Sequence, residues 1–162
     1  QHMSKKTIIV FSGDYDKVMA AFIIANGAAA MDDEVTMFFT FWGLASLRKP
    51  STGAKVSGKP KSTLQKGFSM MLPPHPEKLG LSKFNFGGLG QMMMKKVMKS
   101  EHVMTISELL ASAQEQGIKM IACTMSMDVM GIRAEELIDG IEYAGVATYL
   151  GEADEANVNL FI

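Results

Sequence analysis

Lys6-Thr7-Ile8-Ile9-Val10-Phe11-Ser12, followed at once by Gly13-Asp14, decides the fold of this chain. The run is apolar and β-branched and then stops at a turn, which is the pattern of a buried parallel strand. Working outward, Tyr15 to Met31 carries Val18, Ala21, Phe22, Ala25 and Ala28 at helical spacing, so a buried helix follows. Asp32-Asp33 breaks that helix, and Val35 to Trp42 reads as a second buried strand. Strand, helix, strand in this order implies a right-handed crossover and a parallel sheet.

The same alternation returns downstream. Thr105-Ile106-Ser107-Glu108 has capping-box form, and the helix it opens places Ile106, Leu109, Leu110 and Ala113 on one face. Gly117 suits the position just past its end. Ile118 to Thr124 reads as a short buried strand, and a helix is expected over parts of Ser126 to Asp139. Ile141 to Gly145 reads as a strand, Val146 to Ala156 as a helix, and Asn157 to Ile162 as an edge strand. Between the two halves, Arg48 to Ser62 is rich in Lys, Ser, Gly and Pro, which predicts a flexible loop over about 48–63. Leu64 to Phe86 reads as irregular around Pro73-Pro74-His75-Pro76, and Gly87-Gly88 then releases a helix bearing Met92, Met93, Met94, Val97 and Met98. The expectation is an α/β protein with three layers, α/β/α, around a mainly parallel five-stranded sheet. Residues 1–3 (Gln1-His2-Met3) read as a tag scar, and 4–162 as one domain.

Composition narrows the function classes. The 162 residues are 48% hydrophobic and 20% charged, an ordinary globular balance. No signal peptide is visible, and the longest apolar stretches fall short of the roughly 20 residues that span a bilayer, so a cytoplasmic protein without membrane attachment is expected. Net charge is −1, but it is distributed unevenly: Arg48 to Lys99 holds eleven bases and one acid, and Glu101 onward holds eleven acids and two bases. The basic segment can draw anions or acidic partners, yet it lacks interleaved aromatics, so no nucleic-acid partner is expected. A single cysteine allows neither an internal disulfide nor a cysteine-rich zinc site.

Cofactor motifs fail on their details. Gly53 to Pro60 approaches a phosphate-binding loop, but Pro60 stands where a hydroxyl should hold magnesium. Gly87 to Gly90 lacks dinucleotide-loop spacing, and His75 and His102 have no neighbouring ligand at metal spacing. The Met clusters around Met92 and Met125 read as adaptable packing or an oligomer interface rather than a Cu(I) site. No metal or organic cofactor is expected.

Chemistry concentrates on Cys123, where a strand hands over to a helix. A thiol there meets free amide groups that favour thiolate, with Ser126 and Asp128 as candidate helix caps, although the Asp128 carboxylate opposes the effect. Cys123-Thr124-Met125-Ser126 is a C-x-x-C frame whose second sulfur is replaced by a hydroxyl, so no resolving thiol is present for a dithiol cycle. Met125 and Met127 flank the thiol as an apolar collar. Trp42, close to Phe39 and Phe41, is expected to line the same crevice, with Ser12 and Gly13 from the first strand end. A buried, inert cysteine is the plain structural alternative.

Three stretches carry a family likeness: Phe38-Phe39-Thr40-Phe41-Trp42-Gly43-Leu44, Gly87-Gly88-Leu89-Gly90-Gln91-Met92-Met93, and Cys123-Thr124-Met125-Ser126-Met127-Asp128-Val129-Met130-Gly131-Ile132. Together they resemble the DsrE-like superfamily, in particular its DsrE2-type sulfur carriers. The resemblance implies a sulfur-relay protein whose Cys123 accepts sulfane sulfur as a persulfide and passes it on, in effect a sulfurtransferase. It also implies homo-oligomers and partners of rhodanese-like and TusA-like kind. Some relatives carry further cysteines or membrane segments that this sequence lacks. The rival reading is a non-catalytic binding subunit of a sulfur-metabolism complex, with Cys123 packed in the crevice. A peroxidase reading comes third, because sulfenic acid at Cys123 would find no resolving thiol.

Overall fold

The structure, a computed structural model, describes residues 3–50 and 60–162. Its elements run β1 (Lys5–Val10), α1 (Tyr15–Ala30), β2 (Glu34–Phe39), a 3₁₀ helix (Phe41–Leu47), α2 (Thr63–Met71), α3 (Leu89–Ser100), α4 (Ile106–Glu115), β3 (Lys119–Cys123), α5 (Thr124–Met130), β4 (Glu142–Ala144), α6 (Val146–Asp154) and β5 (Val158–Phe161). Short 3₁₀ turns at Pro76–Lys78, Phe86–Gly88 and Ala134–Glu136 link them.

The described residues form one five-stranded sheet in the order β4-β3-β2-β1-β5, with every pairing parallel. The α/β expectation therefore holds. Register is fixed by pairs such as Ile8 with Met37, Phe38 with Ile121, and Cys123 with Ala144. The chain builds the sheet in one direction from β1 to β4, and β5 then returns to pair with the free side of β1.

The two faces of the sheet are covered unequally. On one, Ile8, Val10, Met37, Phe39, Met120 and Ala122 pack into the main core with Val18 and Phe22 of α1 and Ile106 and Ala113 of α4. Burying each large apolar side chain there contributes roughly 1.5–3 kcal/mol. The opposite face, carrying Phe38, Ile121 and Cys123, forms a small separate cluster under Tyr149 of α6. The Phe38 and Tyr149 rings stack at 5.1 Å.

Polar contacts tie α6 down. Tyr149 Oη lies 3.2 Å from Thr7 Oγ1, within hydrogen-bond distance. Glu152 receives Lys5 Nζ at 2.7 Å and Lys119 Nζ at 2.9 Å, and Thr36 Oγ1 donates to it at 3.3 Å. The hydrogen bonds from Lys5 and then Lys119 hold the Glu152 carboxyl down at about 2. The same contacts, led by Glu152, push the Lys5 and Lys119 ammonium groups upward.

Three local expectations are corrected. The second strand ends at Phe39 rather than Trp42, because Phe41 adopts a left-handed backbone (φ 46°) and turns the chain into the 3₁₀ helix. Gly43 then sits directly beneath β1: a Cβ at this position would come 2.0 Å from the Val10 carbonyl oxygen. Second, the segment after Ser62 opens as helix α2 rather than irregular chain. Ser62 Oγ accepts from Gln65 N at 3.2 Å while Gln65 Oε1 accepts from Ser62 N at 2.9 Å, a reciprocal capping box. Third, the helix expected within Ser126 to Asp139 begins earlier, at Thr124, and ends at Met130, where Gly131 takes the left-handed cap (φ 67°).

The predicted loop at about 48–63 lies largely outside the described residues, as does the Gly53 to Lys59 part of the phosphate-loop-like stretch. Its flanks are fixed. The Arg48 guanidinium donates to the carbonyls of Ser69, Leu72 and Pro73 and pairs with Glu136, and Lys61 pairs with Glu136 at 2.8 Å. Among the described residues, no helix is long and apolar enough to cross a membrane.

Candidate functional site

Cys123 is the last residue of β3 and, at the same time, the N-cap residue of α5. Strand alternation explains its surroundings: Ile121 and Cys123 point to the same face of the sheet, toward Phe38 and Tyr149. The thiol-bearing residue is only 4% exposed, with Ile9, Ala144 and Ala153 packed around the cluster. The helices α5 and α6 leave the neighbouring ends of β3 and β4 beside it.

The helix that begins at Thr124 is braced on two sides. Ser126 and Asp128, expected as caps, lie inside α5 instead. Ser126 is fully buried, and its hydroxyl meets Thr40 Oγ1 at 2.7 Å, which ties α5 to the end of β2. The Asp128 carbonyl accepts from Gln65 Nε2 at 2.7 Å, which ties α5 to α2. Close packing continues at Gly131, where a Cβ would meet the Gln65 carbonyl oxygen at 2.5 Å. Met127 is buried in the main core, whereas Met125 and Val129 are exposed. The two methionines flanking Cys123 in sequence thus face different surroundings.

Thr124, Met127 and Asp128 share a cavity of about 550 Å³ with Gln65, Arg133 and Tyr143, beside the ends of β3 and β4. Burial, with Asp139 and Glu135 nearby, pushes the Tyr143 phenol upward. Ser12, Gly13 and Trp42 come together in a different cavity, of about 810 Å³, at the ends of β1 and β5. Gly43 lines neither; it is buried and serves the close approach to Val10. The residues expected to share one crevice are therefore divided between two, with Cys123 buried next to the first. Sequence reasoning passed over Phe38 and Tyr149 as the groups packed with the thiol. Phe38 belongs to the aromatic run Phe38-Phe39-Thr40-Phe41-Trp42, and the register of β2 against β3 places it opposite Ile121.

His75 borders a third, smaller hollow with Arg48, Lys49 and Ser107. Among the described residues, no cluster of three or more His, Cys, Asp or Glu side chains is placed to hold a metal ion. The chemistry on offer is that of one thiol at a strand end, packed against aromatic and aliphatic side chains.

Comparison with known proteins agrees with this architecture. The chain is 53% identical over 162 residues to the YrkE protein of Bacillus subtilis (strain 168), covering 100% of this chain and 99% of that protein. It is 39% identical over 159 residues to the sulfur carrier protein DsrE2 of Allochromatium vinosum, covering 98% of each. Among solved structures, the ychN protein from E. coli superposes with a TM-score of 0.55 at 14% identity, covering 99% of this chain and 100% of that one, a likeness of fold alone. The model of the DsrE/DsrF/DrsH-like family matches residues 2–161, and with the identity to DsrE2 it places this chain in the DsrE/DsrF/DrsH-like family of sulfur-relay proteins.

Proposed function

We propose that this protein accepts sulfane sulfur on Cys123 as a persulfide and hands it to a partner protein. The observation that carries the reading is the position of the chain's single cysteine, at the carboxyl end of a central strand and the start of a helix, in a relative of a sulfur carrier. In the loading step, the Cys123 thiolate attacks the outer sulfur of a persulfide donor, R–S–SH. An S–S bond forms at Sγ, the donor S–S bond breaks, and R–S⁻ leaves with the bonding electron pair. Delivery is the same exchange in reverse, with an acceptor thiolate as nucleophile. Neither step needs a metal or an organic cofactor. The donor and acceptor in this reading are proteins of rhodanese-like and TusA-like kind, the setting is the cytoplasm, and the carrier works as a homo-oligomer.

The burial of Cys123 favours a second reading, in which the protein is a binding subunit and its cysteine only packs. Intact mass after incubation with polysulfide separates the two. The carrier reading expects one added sulfur atom that reductant removes, and no addition to Cys123→Ser. No addition to the folded wild-type protein would leave the binding-subunit reading.

A further inference from the structure

The sheet holds a feature that sulfur relay at Cys123 does not use. β1 connects forward to β2 through α1, and β5 arrives beside β1 from α6. The helices α1 and α6 pack on opposite faces of the sheet. The carboxyl ends of β1 and β5 lie side by side in the sheet, and ligands of open α/β sheets bind in crevices beyond the carboxyl ends of strands. The cavity of about 810 Å³ lies here, within the range of roughly 300–1,000 Å³ typical of small-molecule sites.

Its floor is apolar, from Ala45, Leu72 and Leu79, all buried. Its walls are aromatic: Phe11 and Phe161 stack at 5.6 Å, and Trp42 stands nearby, 43% exposed. Phe41 is left-handed, and Gly13 lies so close that a Cβ would come 2.9 Å from the Trp42 carbonyl oxygen. On the rim, Asp14 Oδ2 accepts from Ser12 Oγ at 3.2 Å and pairs with Lys17 Nζ at 3.4 Å.

We propose that this crevice is a binding site, separate from Cys123, for a small ring-bearing ligand of no net charge. The aromatic walls stack a ring. Among the lining side chains, the rim carries one carboxylate, Asp14, and one ammonium, Lys17, which cancel. A ligand with a single charge gains from one of them what it loses to the other, so its desolvation goes uncompensated, whereas a hydroxyl or a zwitterionic head can engage both.

Trp42 supplies the test, because it is the chain's single tryptophan and gives one indole N–H signal in a ¹H–¹⁵N spectrum. Four probes share a phenyl ring and differ in charge: benzyl alcohol, L-phenylalanine, phenylacetate and benzylamine. The expected result is a saturable shift of the Trp42 signal by benzyl alcohol, L-phenylalanine or both, at a midpoint at least about fivefold below those of the two charged probes. Benzyl alcohol alone identifies a neutral ligand, and L-phenylalanine alone a zwitterion. Phe161→Ala, at an exposed position, should raise that midpoint about fivefold or more while leaving the fold intact. Cys123→Ser should bind as the wild type does. No saturable shift with any probe, tighter binding of either charged probe, or an unaffected Phe161→Ala variant would each overturn the proposal.

Discussion

Replacing Glu152 by Gln tests how the α6 layer is held over the thiol. Glu152 is partly buried, contacts Lys5 and Lys119 at 2.7 and 2.9 Å, and is held at about 2 against an ordinary 4.5. That depression corresponds to at most about 3–4 kcal/mol of stability by proton linkage. Screening at the sheet end and the hydrogen bonds that glutamine retains reduce the expected loss to about 1–2 kcal/mol at pH 7. Because the folded value lies below the unfolded one, the contribution is complete above about pH 4.5 and disappears as pH falls through about 2. The wild-type and variant urea midpoints should therefore differ at neutral pH and converge toward pH 2. Tyr149 lies one turn before Glu152 on α6 and packs with Cys123, so the same substitution should ease local opening of that helix. Iodoacetamide labelling of Cys123 under native conditions should then rise roughly 5- to 30-fold, the factor equivalent to 1–2 kcal/mol. Equal urea midpoints would refute the ion-pair reasoning. A destabilised variant with unchanged labelling would show that α6 does not control access to the thiol.

Other positions give independent checks. Gly43→Ala would drive a methyl group into the Val10 carbonyl, and a cost of roughly 3 kcal/mol or more is expected, read as a large fall in thermal midpoint or loss of soluble protein. Arg48→Ala would release three carbonyls at the end of α2 along with Glu136; about 2–4 kcal/mol is expected, with faster hydrogen exchange over residues 63–73. Ser126→Ala would leave the Thr40 hydroxyl without its 2.7 Å partner, at about 1–2 kcal/mol, and the double variant with Thr40→Val should recover part of that loss.

The strands and the buried helix faces were legible because their side chains repeat with the right period. Ile8, Val10, Val18, Phe22, Met37 and Met120 all lie where apolar patterning puts them. Helix α2 was hidden because its Ser62–Gln65 box follows a Lys- and Gly-rich stretch, whose composition argues for loop, and because its exposed Leu64, Met70 and Met71 blur any apolar face. Phe38-Phe39-Thr40-Phe41-Trp42 reads as β throughout, so patterning extends the strand to Trp42; only the left-handed turn at Phe41 separates it. The location of Cys123 at a strand end was readable, but the division of the crevice was not. That division depends on strand order, and local patterning does not reveal that β5 would return to β1 while Cys123 sits two strands away on β3.

The return of β5 also governs how the protein acquires its structure. Lys5 and Asn157 are hydrogen-bonded across 152 residues of sequence, and β1, the first strand made, gains its second neighbour only from the last. Such distant pairing slows folding, because the closure cost is met before its contacts form. During synthesis, the outer edge of β1 stays unpaired until residues 158–161 have emerged, a strand edge open to mispairing with neighbouring nascent chains. Variants that weaken β5 should therefore lower soluble yield in cells more than they lower the stability of protein already folded.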